Sequence, residues 1–123
     1  MDYNFELNKN SKIITVKTTG HLKTTELAEM CVLIRKKAVD LNYNIIFDYS
    51  LSKNFISITE AYYWFSDYYD VVDLKLRQIP AAVITSKEDN EFFQFLETTC
   101  SNEGITLKVF LEELPAVQWL DQI

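Results

Sequence analysis

Few side chains in this sequence could carry out covalent chemistry, and the best placed is Asp48, which follows the apolar run at residues 45–47. The carboxyl end of a buried strand is where open α/β sheets place ligand-binding groups. A hydrolytic site would require Asp48, the single histidine His21 and a serine to converge within hydrogen-bond reach. His21 instead follows Gly20 in a connection before a helix, and aspartate commonly bonds the backbone amides of the turn after its strand. The turn interpretation is favoured, and we expect no catalytic residue.

The sequence also offers few residues that could bind a cofactor or a metal ion. Two glycines, Gly20 and Gly104, cannot form a glycine-rich phosphate-binding loop. Cys31 and Cys100 lie inside predicted helices without the spacing of metal or redox motifs, so we expect buried free thiols. The acidic residues fall at predicted helix starts, where they offset the helix dipole. The sequence therefore predicts a protein that is not an enzyme and holds no cofactor or metal.

The charge and composition narrow the classes of partner. The chain has 123 residues and a formal net charge of -6, whereas nucleic acids and anionic membranes require a cationic surface. No apolar stretch reaches the roughly 18 residues that a membrane span needs. The N-terminus is acidic and alternating, unlike a signal peptide. We expect a single cytoplasmic domain over residues 1–123 that binds no nucleic acid and does not span a membrane.

The elements that position these residues follow from the apolar periodicity. Alternation predicts a hairpin of strands at residues 3–7 and 12–18, with Gly20 ending the second strand, and apolar runs predict strands at residues 45–49, 79–85 and 105–111. Capping signals predict helices that begin at Thr24 or Thr25, at the box Ser57-x-x-Glu60, behind Ser86 and at Glu112. Residues 75–78 are predicted to be a polar connector.

The predicted order is β-β-α-β-α-β-α-β-α, which makes an α/β fold with a mixed, mostly parallel five-stranded sheet. Three of the strands alternate apolar with polar residues, although a sheet covered on both faces should show continuous apolar runs. We therefore expect the helices to lie mainly on one face.

The helix behind Ser57 carries more aromatic side chains than one core face needs. At roughly 100° per residue, the predicted buried stripe consists of Ile58, Tyr62, Phe65, Tyr69 and Val72. Trp64 and Tyr68 lie on one flank, and Tyr63 points nearly outward. Two interpretations remain open: the flank packs against a neighbouring helix, or Tyr63, Trp64 and Tyr68 form an exposed surface that binds a protein, because tyrosine and tryptophan commonly anchor interfaces.

Three segments, at residues 20–27, 44–50 and 109–120, together with the element order, resemble the SpoIIAA-like, or STAS-type, domains. The resemblance covers essentially the whole chain and is closest to a divergent branch of small bacterial proteins. It implies a regulatory or protein-interaction domain with a protein partner, which is also compatible with a homodimer. The alternative is a small-ligand or lipid-binding module with a pocket between helices and sheet, since these domains resemble lipid-carrier folds in topology.

The resemblance also implies a place for a regulatory switch. In the anti-sigma-factor antagonists of this family, an Asp-Ser-Ser-Gly motif begins the helix after the third strand, and a partner kinase phosphorylates a serine there. Counting forward from Asp48 places that motif on residues 56–59, where only Ser57 matches. Asp48, Ser50 and Ser57 are therefore the candidate switch or ligand region, although a helix-capping role by itself accounts for Ser57.

Overall fold

The computed structural model describes the backbone of residues 1–69 and 74–123, and the side chains of residues 1–63 and 74–123. The strands in this part of the chain are β1 (Asp2–Asn8), β2 (Ile13–Leu22), β3 (Asn44–Asp48), β4 (Ser52–Asn54), β5 (Ala81–Ile84) and β6 (Leu107–Phe110). The helices are α1 (Thr24–Leu41), α2 (Ile58–Tyr69), α3 (Leu74–Arg77), α4 (Asn90–Asn102) and α5 (Glu113–Asp121).

The strands form one mixed sheet in the order β1-β2-β3-β5-β6, and β4 pairs with β2. β1 runs antiparallel to β2, and the other pairs are parallel. The predicted mixed, mostly parallel sheet is confirmed. β4 is an additional, sixth strand that the sequence pattern did not predict.

The helices cover the two faces of the sheet unequally. Helices α1, α2 and α4 pack on one face, where Leu27, Ala61 and Phe93 belong to the same buried cluster as Val16 and Phe47. Helix α5 lies on the other face and buries a smaller cluster, formed by Ile13, Ile46, Ala82, Ile84, Ala116 and Leu120. The prediction of helices mainly on one face is confirmed.

Strand β2 differs from the prediction at Gly20. The strand does not end there: Gly20 takes a positive φ of 85°, which glycine adopts without steric cost, and the strand continues to Leu22. This second half of β2 is paired with β4, in the register Gly20 to Ser52, His21 to Lys53 and Leu22 to Asn54. The prediction failed because the stabilising partner strand was itself not predicted.

Two local predictions for the helices were also wrong. Neither Thr24 nor Thr25 caps α1, because Lys23 occupies the N-cap position and no side chain bonds the helix end there. The predicted polar connector is largely the short helix α3, with Leu76 buried. The predicted helix end at Gly104 is confirmed: α4 ends at Asn102, and Gly104 has a φ of 74°.

Two thiols and one guanidinium are buried at the main core. Cys31 and Cys100 are buried free thiols, as predicted. Burial raises the pKa of Cys31, and it raises the pKa of Cys100 to about 12. Arg35, on α1, is only 3% exposed, and its Nη1 donates hydrogen bonds to the carbonyl oxygens of Leu76 at 3.0 Å and Ile79 at 3.1 Å. This guanidinium joins α1 to α3 and to the segment that enters β5.

Candidate functional site

The chain leaves the central sheet through a tight turn at Asp48. The Asp48 carboxylate accepts hydrogen bonds from the Ser50 backbone amide at 3.0 Å and from the Ser50 hydroxyl at 2.6 Å, both through Oδ1. This is an Asx turn, in which the aspartate side chain replaces a backbone acceptor. The turn interpretation of Asp48 therefore agrees with the geometry, and a role of Asp48 and Ser50 in binding stays a prediction.

After this turn the chain resumes pairing with β2 as β4, and three contacts hold it there. The hydroxyl groups of Thr18 and Ser52 are joined by a buried hydrogen bond of 2.6 Å. The Asn54 amide donates to Asp89 Oδ2 at 2.9 Å. The Asn54 side chain donates to the Ile56 carbonyl at 2.9 Å and accepts from the Ile56 amide at 3.0 Å. Phe55 lies between these two anchored residues, so its backbone is fixed.

Ser57 begins α2 through the predicted capping box. Its Oγ accepts a hydrogen bond from the Glu60 amide at 3.1 Å and donates to Glu60 Oε1 at 3.3 Å. The second carboxylate oxygen of Glu60 accepts from the Thr24 hydroxyl at 3.1 Å. One carboxylate thus connects the start of α2 to the start of α1, and Ser57 itself is exposed to solvent. Its phosphorylation stays a prediction.

Four large apolar or aromatic side chains around this cap are exposed. Phe55 is 51% exposed, Ile58 48%, and Tyr62 and Tyr63 62% each. The rings of Tyr62 and Tyr63 meet edge to face, with centroids 5.7 Å apart. We call Phe55, Ile58, Tyr62 and Tyr63 the α2 surface. Trp64 and Tyr68, the other predicted members of a partner surface, have side chains that lie outside the described residues.

The rotation of α2 differs from the prediction. Ile58 and Tyr62 were expected in the buried stripe, but Ala61 is the buried residue of these first turns. The reason is a hydrophobic staple, in which the residue before the N-cap packs with the fourth helical residue. Ile56 and Ala61 occupy those two positions and belong to the same buried cluster. The predicted stripe residues Phe65, Tyr69 and Val72 lie outside the described side chains.

Phe55 is a site residue that the sequence reasoning missed. Its ring packs against His21, with centroids 4.1 Å apart, and Lys53 Nζ lies 5.8 Å from its centroid. The pairing of β2 with β4 places His21 and Lys53 side by side. A usable signal was its position two residues before a capping box, where an aromatic residue lies outside every predicted core element.

The hydrolytic arrangement considered from the sequence is not assembled. Within the part of the chain that the structure describes, no hydrogen bond joins His21 to Asp48, Ser50 or Ser57, and no three metal-ligating side chains come together. The imidazole of His21 instead contacts the Phe55 ring. Among the described helices, none is long and apolar enough to cross a membrane.

A pocket between helices and sheet, which the ligand-binding alternative requires, is very small in the described structure. The cavity at that place has a volume of about 30 Å³ and is lined by Cys31, Arg35, Tyr49, Phe93 and Cys100, among others. Pockets that hold small organic ligands measure roughly 300–1,000 Å³. The cavity has room for about one water molecule.

Comparison with known proteins gives similarity at the level of structure. No protein-family model and no curated protein matches the sequence. A DUF3478-family protein of SpoIIAA-like fold from Shewanella loihica PV-4 is 17% identical over 97% of this chain and 92% of that chain, with a TM-score of 0.54.

Two further solved structures are anti-sigma factor antagonists. SpoIIAA in its unphosphorylated form is 12% identical and has a TM-score of 0.55, covering 99% of this chain and 100% of its own. An antagonist from Mycobacterium paratuberculosis is 10% identical and has a TM-score of 0.52, covering 99% and 96%. At these identities the similarity concerns the fold. The resemblance read from the sequence is confirmed at that level, and the chain has the SpoIIAA-like fold.

Proposed function

We propose that residues 1–123 form a single cytoplasmic regulatory domain that acts by binding a protein through the α2 surface. The observation that carries this proposal is the exposure of Phe55, Ile58, Tyr62 and Tyr63 within nine consecutive residues. Exposed apolar side chains that occur singly need no explanation, whereas a group of them marks an interaction site. Aromatic residues are also the usual anchors of protein interfaces.

The backbone that presents the α2 surface is already ordered. The side chain of Asn54 holds the segment on either side of Phe55, and the capping box fixes the start of α2. A partner that docks here therefore loses little free energy to ordering the loop, since the cost of immobilisation has been met during folding. Tyrosine and phenylalanine also lose few rotamers on binding.

Two of the structurally similar proteins are anti-sigma factor antagonists, and their description as antagonists supports a protein partner for this chain as well. A protein-binding role needs no catalytic residue, which agrees with the low supply of catalytic side chains in the sequence. The alternative of a ligand or lipid carrier gains no support from a cavity of about 30 Å³.

Ser57 is the control point of the α2 surface in this proposal. A phosphate would add a charge of roughly -1.5 to -2 to an oxygen that lies 3.3 Å from Glu60 Oε1. The helix N-terminus attracts this charge, but the Glu60 carboxylate repels it. The side chain of Glu60 would then move away from Ser57, and its hydrogen bond with the Thr24 hydroxyl would be lost. Phosphorylation of Ser57 would thus change the junction of α1 and α2 beside the binding surface.

The proposal is tested by affinity capture from the native host with four baits: the wild type, F55A, Y63A and L114A. Leu114 is a matched control, because it is an exposed apolar residue on α5. We expect a protein recovered with the wild type and L114A to be lost with F55A and Y63A, since truncating an interface anchor costs 2 kcal/mol or more, roughly 30-fold in affinity.

Direct binding measurements with that protein then give the change in dissociation constant for each variant. Equal affinity for all four forms would show that the α2 surface is not the binding site. Phosphopeptide mapping of the chain recovered from the host tests Ser57 separately. Phosphate found elsewhere, with Ser57 unmodified in every growth condition, would remove Ser57 as the control point.

A further inference from the structure

Strand β1 forms an open edge of the sheet. It pairs with β2 through all seven of its residues, Asp2–Asn8, and within the described structure no other strand lies beside it. In an antiparallel pair, alternate residues direct their amide and carbonyl groups away from the partner strand. Such groups form a template for a further strand, and proteins usually protect them with lysine, proline, a bulge or a covering element.

In each of the other two outer strands, β6 and β4, a carboxylate binds an outward amide. The outward amide of Val109, in β6, donates to Glu97 Oε1 at 2.8 Å. The outward amide of Asn54, in β4, donates to Asp89 Oδ2 at 2.9 Å. β1 has neither lysine nor proline, its charged residues are Asp2 and Glu6, and no described side chain accepts a hydrogen bond from its amides. Among the described residues, a carboxylate therefore binds one outward amide in each of these two strands, whereas no side chain does so in β1, the longest outer strand.

The two faces of β1 differ in chemistry. Tyr3, Phe5 and Leu7 are opposite Thr18, Val16 and Ile14 of β2, so they point to the face that carries α1. They are 38%, 38% and 42% exposed, which is high for side chains above a core. The residues between them, which point to the other face, are Asp2, Asn4, Glu6 and Asn8.

We propose that β1 pairs antiparallel with β1 of a second copy of this chain, with the two-fold axis at Phe5, so that the two sheets become continuous. In this register all seven residues are paired and no two acidic residues are opposite each other. The opposed pairs are Tyr3 with Leu7, Phe5 with Phe5, Asp2 with Asn8 and Glu6 with Asn4, each between the two copies.

The positions of the acidic residues favour this register over those in which the two-fold axis lies at a neighbouring residue. Strand residues that face each other must point to the same side of the sheet, so the alternatives shift the axis by one residue. An axis at Asn4 places Asp2 opposite Glu6, and an axis at Glu6 places Glu6 opposite its own copy. Like charges directly opposite destabilise a strand pair. The axis at Phe5 avoids both conflicts and places apolar residues opposite apolar residues.

Helix α1 extends the same surface above the strand. Lys37 Nζ lies 5.2 Å from the centre of the Phe5 ring, which places this side of α1 over β1. Leu33 and Leu41 are four residues on either side of Lys37, so they share that side of the helix. Both leucines are exposed. Pairing of β1 would bring the two α1 helices together on one face and cover them.

The first test measures the mass of the chain by sedimentation equilibrium over a concentration series. We expect a dimer for the wild type and a dimer dissociation constant about tenfold higher for N4E, because the new carboxylate is opposite Glu6 of the copy twice. Within one chain Asn4 is opposite Lys17, so N4E keeps its fold. The double variant N4E/E6K replaces the repulsion by attraction and should recover the wild-type constant.

N10E adds the same charge in the turn after β1, outside the pairing, and should dimerise as the wild type does. A wild-type chain that stays monomeric at every concentration would overturn the proposal. A dimer that is indifferent to N4E would assign dimerisation to another surface and would overturn it as well.

The second test fixes the register by oxidative cross-linking. F5C places two thiols directly opposite each other, at a Cα separation of roughly 4.5–5.5 Å, which a disulfide can bridge. Y3C places its two thiols four residues apart, at roughly 14 Å, and should not cross-link. The native Cys31 and Cys100 are buried and do not compete. Equal cross-linking of F5C and Y3C would exclude the Phe5 axis. The outcome is independent of the proposed function, which uses the α2 surface.

Discussion

Replacing Arg35 by methionine should destabilise the fold more than any other exchange of a single cation in α1. Arg35 is the charged residue buried in this helix, and its Nη1 bonds two backbone carbonyls, those of Leu76 and Ile79. Methionine has a similar length and no donor, so R35M keeps most of the packing while removing both hydrogen bonds.

The size of the effect follows from two opposing contributions. Hydrogen bonds to a charged group contribute roughly 1.5–3 kcal/mol each, so the two bonds of Arg35 contribute roughly 3–6 kcal/mol. Removing a buried charge recovers part of its desolvation cost, which runs to several kcal/mol. The net loss should be about 2–4 kcal/mol, which lowers Tm by about 10 °C for a chain of this size.

Urea unfolding followed by circular dichroism measures this loss directly. The matched control is K36M, because Lys36 is the next residue of α1 and its side chain is exposed. We expect K36M to lie within about 0.5 kcal/mol of the wild type. If R35M were as stable as K36M, or more stable than the wild type, the burial cost of the guanidinium would exceed the value of its hydrogen bonds, and the reasoning would be refuted.

Three further predictions concern the helix cap, a glycine and a thiol. S57A should lower the free energy of unfolding by about 1 kcal/mol through loss of the N-cap, while S57D keeps an acceptor there; equal thermal stability of S57A and wild type would contradict the cap. G20A should cost about 1–2 kcal/mol, because the φ of 85° disfavours a side chain, whereas the added Cβ would meet Met1 only at 3.6 Å; an unchanged urea midpoint would argue against this strain. Burial raises the pKa of Cys100 from 9.0 to about 12, so the unfolded chain loses this proton first. Stability should therefore fall as pH rises above about 9, by roughly 1 kcal/mol at pH 10. C100A should show a smaller fall by that amount between pH 8 and pH 10, and equal falls would contradict it.

The architecture was predictable because its signals are repeated along the chain. Apolar runs and helical periodicity predict each of the main helices and five of the six described strands. β4 was not predictable in this way, since Ser52, Lys53 and Asn54 are polar and the strand is three residues long. It forms because the chain, after the Asx turn of Asp48, pairs with residues 20–22 of β2. That pairing is a tertiary contact between segments distant in the sequence.

The candidate site was predictable only where it depends on neighbours in sequence. The capping box of Ser57 and Glu60 is local and was identified correctly. The rotation of α2 was not, because large side chains dominated the apolar count, whereas the buried position belongs to the small residue Ala61. The place of Phe55 beside His21 depends on the pairing of β4 with β2, which joins segments far apart in the sequence.

The two carboxylates that close the sheet edges belong to a single structural unit. Asp89 immediately precedes α4 and holds β4, while Glu97 lies within α4 and holds β6. A local unfolding event that displaces α4 would therefore release the amides of Asn54 and Val109 together, although they lie 55 positions apart in the sequence. Two strand edges would become more open to aggregation in one step, so the stability of α4 protects both of them together.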